Sequence, residues 1–365
     1  MTLFLCGDVM TGRGIDQILS QPSAPRLYEP YVDSALEYVA LAERASGPIA
    51  RPAEPAYVWG DALDALARAR PQARIVNLET AVTTSEDAWP AKGIHYRMNP
   101  ANVACLSAAG IDCCALANNH VLDWGYRGLA ETLDTLHAAG MRTAGAGRDE
   151  DEACAPAEIP LANGSRVLVF AYGLDSSGVS PDWAAGKTRA GVAFLPDLST
   201  RSVEAVARRM SEAKRAGDFA LVSLHWGGNW GYEVARAERA CAHALIDAGA
   251  DLVHGHSSHH PKGIEVYGER LVLYGCGDFL NDYEGIGGYE GFRAELTLMY
   301  LPTLDAASGR LLGLELVPMR IRRLRLERAR EADAHWLEAM LDREGRKLGT
   351  RIEHGVGGSL ELRWN

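Results

Sequence analysis

The feature that most constrains this chain is a repeated alternation. Short apolar runs, rich in β-favouring residues and bounded by Gly, Asp or Asn, occur at residues 2–6, 73–77, 112–116, 166–172, 219–224, 251–254 and 270–274. A strand that is apolar at consecutive positions, not alternate ones, is covered on both faces. Between the runs lie segments whose apolar residues recur every three or four positions, at 60–70, 100–110, 125–140, 202–217 and 235–249. Four of these five end at Gly, the residue that most easily closes a helix. Strands alternating with helices predict a layered α/β fold with helices flanking the sheet. Residues 293–326 mostly alternate apolar and polar and read as antiparallel strands. Their phase slips at Arg322-Arg323, which predicts a bulge or bend. A helix over 331–347 and an edge segment follow. Residues 21–57 and 176–196 fit no pattern; long ordered insertions of this kind often cover a site on α/β scaffolds.

Composition narrows the function. The 365 residues carry 37 Lys+Arg against 48 Asp+Glu, a net charge of −11. An acidic balance makes nucleic acid a poor partner, because phosphate binding needs clustered Lys and Arg. No window approaches the ~20 apolar residues of a membrane span, and the N-terminus lacks the pattern of a signal peptide. Seven cysteines without a CxxC pair, two of them adjacent in an apolar run (Cys113, Cys114), predict reduced thiols and a cytoplasmic protein.

The chemistry concentrates where the strands end, which is where ligands collect in open α/β sheets. The ends read Gly7-Asp8, Asn77-Leu78-Glu79, Asn118-Asn119-His120, His225-Trp226, His254-Gly255-His256 followed by His259-His260, and Gly277-Asp278. Any one of these is an ordinary cap or turn residue. Six on one rim predict a metal site. Carboxylates, carboxamides and imidazoles without thiolates form a hard-to-borderline donor set, suited to Mg, Ca or Mn and, through imidazole, to Fe or Zn.

The strings GDVMTGR, NLET, ALANNHVLDWG, LHWGGN, GHSSHHPKGIEVY and YGCGDF resemble, in order and spacing, those of the CapA family, named for poly-γ-glutamate capsule biosynthesis and placed in the calcineurin-like metallophosphoesterase superfamily. The resemblance runs from about Leu3 to Phe279. It implies a calcineurin-like fold, with layered sheets flanked by helices and a metal site at the carboxyl ends of the strands. Residues 1–330 would form the catalytic domain, and 331–365 a C-terminal helix and edge segment packed on it. It also implies a ligand set: Asp8, Glu79, Asn119, His225 and His256, with His259 completing the terminal His pair. Two positions depart from the pattern. Met10 stands where the first motif usually has His, and Glu79 replaces the usual Asp. The missing His weakens one of two metal positions, so a single divalent ion is expected, Ca favoured over Mn or Mg, with no organic cofactor.

One cation leaves acid/base groups unspent. His120 with Asp123, and His259 with Asp278, are expected to form two imidazole–carboxylate pairs, the arrangement that fixes tautomer and basicity near neutral pH. Two such bases around a cation suit removal of a Cα proton and its return from the opposite face. Within the superfamily this resembles lasso-peptide epimerases, which invert a C-terminal tryptophan. A peptide epimerase acting on a ribosomal precursor peptide is therefore the leading expectation. The alternative is a CapA-type metallohydrolase or phosphoesterase, or a poly-γ-glutamate biosynthesis enzyme. Lys92 and Arg97 are candidate contacts for a substrate carboxylate. Trp226, with Trp230 and Tyr232 after it, is a candidate aromatic wall. Asp16, Trp59, His137, His243, His335 and His354 read as structural or solvated, and the Arg320–Arg328 cluster as an exposed strand face.

Overall fold

Both faces of the apolar strands are covered, as their composition requires. The computed structural model describes residues 1–365. Strands β1 (Leu3–Val9), β2 (Ala73–Leu78) and β3 (Cys113–Ala115) run parallel in a ten-stranded sheet that continues through Arg142–Ala144. On the other side of β1 the sheet turns antiparallel, through Leu296–Leu304, Leu311–Ile321, Leu360–Trp364 and Thr350–His354. A second sheet of six strands has β4 (Phe219–His225) and β5 (Leu252–His256) side by side and parallel at its centre.

The two periodicities explain the layering. Along β1, Leu3 and Leu5 face one way and Phe4 and Cys6 the other. Leu3 and Leu5 join Val169, Leu221 and Leu252 of the second sheet in a core between the sheets. Phe4 and Cys6 join a core that includes Leu66, Leu129 and Leu133 of the helices Ala62–Ala69 and α1 (Gly125–Ala138). A third core packs Val206 and Met210 of the helix Thr200–Ala213 and Leu245 of the helix Arg236–Asp247 on the far face of the second sheet. The architecture is a mixed α/β fold of four layers, helix–sheet–sheet–helix.

One close approach fixes the site. A Cβ on Gly7 would lie 1.6 Å from the carbonyl oxygen of Gly277, and Gly277 itself has a φ of 76°. Two glycines thus let residue 277 press against β1. The short strand β6 (Asp278–Leu280) then pairs with β1 so that Asp278 stands beside Asp8. Sequence reasoning placed Asp278 at the end of a strand; it begins one.

Other differences have plain causes. The helix expected over 100–110 is broken into a 3-10 turn, Pro100–Asn102, and a short α-helix, Ala104–Ala108. The 21–57 insertion holds a helix, Leu36–Ser46. The slip at Arg322-Arg323 is a turn, because Arg323 and Leu324 both take positive φ before the strand Leu326–Arg328. The C-terminal helix Glu331–Arg346 contributes Leu337, Met340 and Leu341 to the core between the sheets, and the last hairpin adds Ile352 and Leu362.

Candidate metal centre

The carboxyl ends of β1, β2, β4 and β5 meet at one edge of the two sheets. Asp8 is the penultimate residue of β1, Glu79 follows β2, and His225 and His256 close β4 and β5 as register partners. Asn119 and His120 lie between β3 and α1. Asp8, Glu79, His225, His256 and Asp278 are all at most 3% exposed. Five buried titratable side chains at one point are costly unless something compensates them.

Hydrogen bonds orient the donors. Asn77 Nδ2 donates to Asp8 Oδ1 (2.8 Å) and Glu79 Oε2 (3.0 Å), holding both carboxylates from below. His225 Nε2 lies 3.0 Å from Asn119 Oδ1, and His256 Nε2 2.8 Å from Ser223 Oγ. With protons on those two Nε2 atoms, both Nδ1 atoms carry bare lone pairs. These Nδ1 atoms face each other at 2.7 Å, and His256 Nδ1 is 4.0 Å from Asp8 Oδ1. Lone pairs converging on a carboxylate in a buried space are what a divalent ion needs.

Two donor groups share Asp8. One is Asp8, His225 and His256; the other is Asp8, His259 and Asp278. Within each, the ligand atoms lie within 4.8 Å of one another. Loss of the usual His to Met10 led to an expectation of a single ion; a second donor group is nevertheless present, made by His259 and Asp278 with Asp8. Met10 is buried, with its sulfur 3.6 Å from the Tyr283 hydroxyl.

The electrostatics agree with the geometry. Burial, reinforced by Asp278, pushes the Asp8 carboxyl up to about 7. Burial and then Asp8 hold Glu79 well above its usual range. Burial drives His225 and His256 well below theirs, so both imidazoles are neutral and able to ligate. A cluster of carboxylates that repel one another beside neutral imidazoles calls for an added positive charge.

Two His–carboxylate pairs border the cluster. His120 Nδ1 is 2.7 Å from Asp123 Oδ2, and its Nε2 points to Glu79 Oε1 at 3.8 Å. Burial pushes His120 down to about 4 despite Asp123, leaving a neutral base. His259 Nδ1 is 2.8 Å from Asp278 Oδ1. Burial opposes its charge, but Asp278 prevails and raises it. Asn281 Nδ2 holds the other Asp278 oxygen at 2.7 Å.

Three expected substrate contacts lie elsewhere in the chemistry. Lys92 Nζ bonds to Asp123 and to the Asn119 carbonyl, and sits 3.2 Å from His120 Nδ1. It supports the His120 pair and is not free for a substrate carboxylate. Arg97 is buried, donates to the Ser85 carbonyl (2.7 Å) and Glu86 (2.8 Å), and lies over the Trp124 ring. Trp226 is 1% exposed, donates from Nε1 to the Tyr274 carbonyl (2.9 Å) and stacks on Tyr274; it is core. The residue lining the approach is Trp230, stacked on Tyr289 at 3.9 Å in a cavity of about 470 Å³ that also reaches His259. Ser223 and Asn281 were missed as orienting residues. A lone Ser among the apolar residues of β4 was the legible signal for the first; Asn281 had none.

No helix is long and apolar enough to cross a membrane. Residues 2–283 match the family described as "Bacterial capsule synthesis protein PGA_cap". A Mycobacterium tuberculosis protein named "Probable polyglutamine synthesis accessory protein" is 47% identical over 99% of this chain and 96% of its own length. The "PGA biosynthesis protein CapA" of Bacillus subtilis is 30% identical over 76% of this chain and 62% of its own. The ring of strand-end donors lies within the matched span, and the chain belongs to the PGA_cap family of bacterial capsule synthesis proteins.

Proposed function

We propose that this chain is a metal-dependent hydrolase or acyl-transfer enzyme of capsule-type polyglutamate biosynthesis, built on a calcineurin-like metallophosphoesterase fold. What carries the reading is the buried donor group Asp8, His225 and His256, with the second group sharing Asp8. The names of the relatives support the polymer substrate. Those names concern polyglutamine and capsule synthesis and not a lasso peptide, which favours the CapA-type reading over epimerisation.

Asp8, His225 and His256 would hold one divalent ion, and His259 and Asp278 a neighbour. The imidazole pair favours Mn or Zn over the Ca first expected. Such an ion polarises a carbonyl or phosphoryl oxygen and lowers the pKa of bound water. The chain's own groups do the rest. Asn77 fixes the two carboxylates. Asp123 holds the proton of His120 at Nδ1, so that Nε2 faces the cluster ready to take a proton from an attacking nucleophile. His259, oriented by Asp278, would return a proton to the leaving group when no ion occupies its side. The test is turnover of a γ-glutamyl amide oligomer and of p-nitrophenyl phosphate by Mn-loaded protein. The reading expects cleavage of at least one that Asp8→Ala abolishes; inert protein with both, at full metal occupancy, contradicts it.

A second reading, epimerisation at a peptide Cα, keeps one specific observation: two separate His–Asp pairs at the cluster. Deuterium uptake from D2O into a peptide substrate without cleavage would select it.

A further inference from the structure

Away from the strand-end ring, a different set of metal-ligating side chains converges on the surface. The ligand atoms of His335, Glu338 and His354 all lie within 4.8 Å of one another. We propose that these three form a second, separate site for a borderline transition-metal ion, zinc above all, which clamps the C-terminal helix to the last β-hairpin.

The fold brings them together from both sides. His335 and Glu338 are three residues apart on the helix α2 (Glu331–Arg346), hence on one face. His354 closes the strand β7 (Thr350–His354), which lies along that helix and pairs with Leu360–Trp364. The His335 and His354 rings meet edge to face with centroids 4.5 Å apart.

The tautomers suit a ligand set. His335 Nδ1 donates to the Glu331 carbonyl at 2.9 Å. A carbonyl only accepts, so the proton sits on Nδ1 and Nε2 carries the lone pair. Metal-bound histidines are oriented in just this way, by a hydrogen bond from the other ring nitrogen. His354 Nε2 lies 2.7 Å from Glu338 Oε2. On metal binding His354 would carry its proton at Nδ1 and offer Nε2.

The carboxylate is also available. His354 is its one ion-pair partner. The nearby guanidiniums of Arg346 and Arg351 pair with Asp342 instead. Two imidazoles and one carboxylate, without thiolate, form a borderline donor set with room for a water, which suits Zn and disfavours Ca or Mg. All three residues lie outside the 2–283 span that matches the family, and sequence reasoning set both histidines aside as structural or solvated.

The experiment uses the metal-stripped full chain dialysed against zinc alone. Zinc is counted by elemental analysis, and the absorption spectrum of a cobalt-loaded sample gives a separate readout. The wild type should hold one more zinc per chain than the His335→Ala/His354→Ala variant. Glu338→Gln should weaken that ion's binding on the order of tenfold or more. An Asp8→Ala/His256→Ala variant should keep it, because the strand-end ring is a different place. The conservative single variant His354→Gln, run alongside, reports the same loss if the double variant folds poorly. Equal zinc content and affinity in wild type, the double variant and His354→Gln would overturn the proposal.

Discussion

At the residue scale, the account rests on what burial does to individual groups. His120 is held by Asp123 and backed by Lys92, so removing it takes away a base and leaves the Asp8–His225–His256 group untouched. His120→Asn is expected to lower kcat by ~10²–10⁴ with metal content unchanged; elemental analysis alongside steady-state kinetics checks it. A pH effect follows from His254, buried and pushed down to about 4, with its Nε2 donating to the Cys6 carbonyl at 2.8 Å. In the unfolded chain it titrates near ~6.5. Above that pH the residue is neutral in both states and its full contribution is present. Below it the unfolded chain takes the proton while the folded one refuses it. Stability is therefore lost as pH falls from about 6.5 to about 4, by about 1.4 kcal/mol per unit for each such group. Denaturant midpoints measured across that window should fall steeply, and less steeply in His254→Gln. Single residues were the most legible part of the candidate site, as positions along the chain. Asp8, Glu79, Asn119, His120, His225, His256, His259 and Asp278 each ended an apolar run or followed one closely. Lys92, Arg97 and Trp226 are held by Asp123, the Ser85 carbonyl and the Tyr274 carbonyl; sequence gives proximity along the chain and not the partner that claims a side chain.

At the element scale, Trp226 belongs to the packing of β4 and β5 against the helices of the second sheet. Trp226→Ala is expected to cost ~3–5 kcal/mol of stability and to leave KM unchanged in protein that remains folded; thermal unfolding and kinetics separate the two. Strands buried on both faces wrote themselves plainly into the sequence as unbroken apolar runs. Helix boundaries were cruder. The segment 100–110 carries the right spacing, but Pro100 and the Asn99 cap start a 3-10 turn that ends before the α-helix begins. The pairing of β6 with β1 had a signal only in hindsight, in two glycines far apart in sequence whose backbones touch. Gly7→Ala is expected to abolish that approach, because its Cβ would meet the Gly277 carbonyl oxygen at 1.6 Å. The variant should lose metal binding together with stability, read by calorimetry of the loaded and stripped protein.

At the scale of the whole molecule, four layers bring the ends of two sheets to one edge, and the donors of that edge come from both. An ion there would tie the sheets together, since Asp8 belongs to the first and His225 and His256 to the second. Chelation should then lower the melting temperature of the entire protein in one transition, by an amount that grows with free metal concentration in the holo form. Alternating strands and helices announced an α/β protein. They did not announce that the strands divide between two stacked sheets, because a strand covered by helices and a strand covered by another sheet have the same apolar pattern.

The most direct measurement is the divalent metal content of protein stripped, reloaded with Mn and dialysed, with wild type compared to Asp8→Ala and His256→Ala. The account predicts at least one tightly held ion per wild-type chain and its loss in both variants while they remain folded. Wild-type protein that retains no ion, or variants that retain as much as wild type, would contradict it.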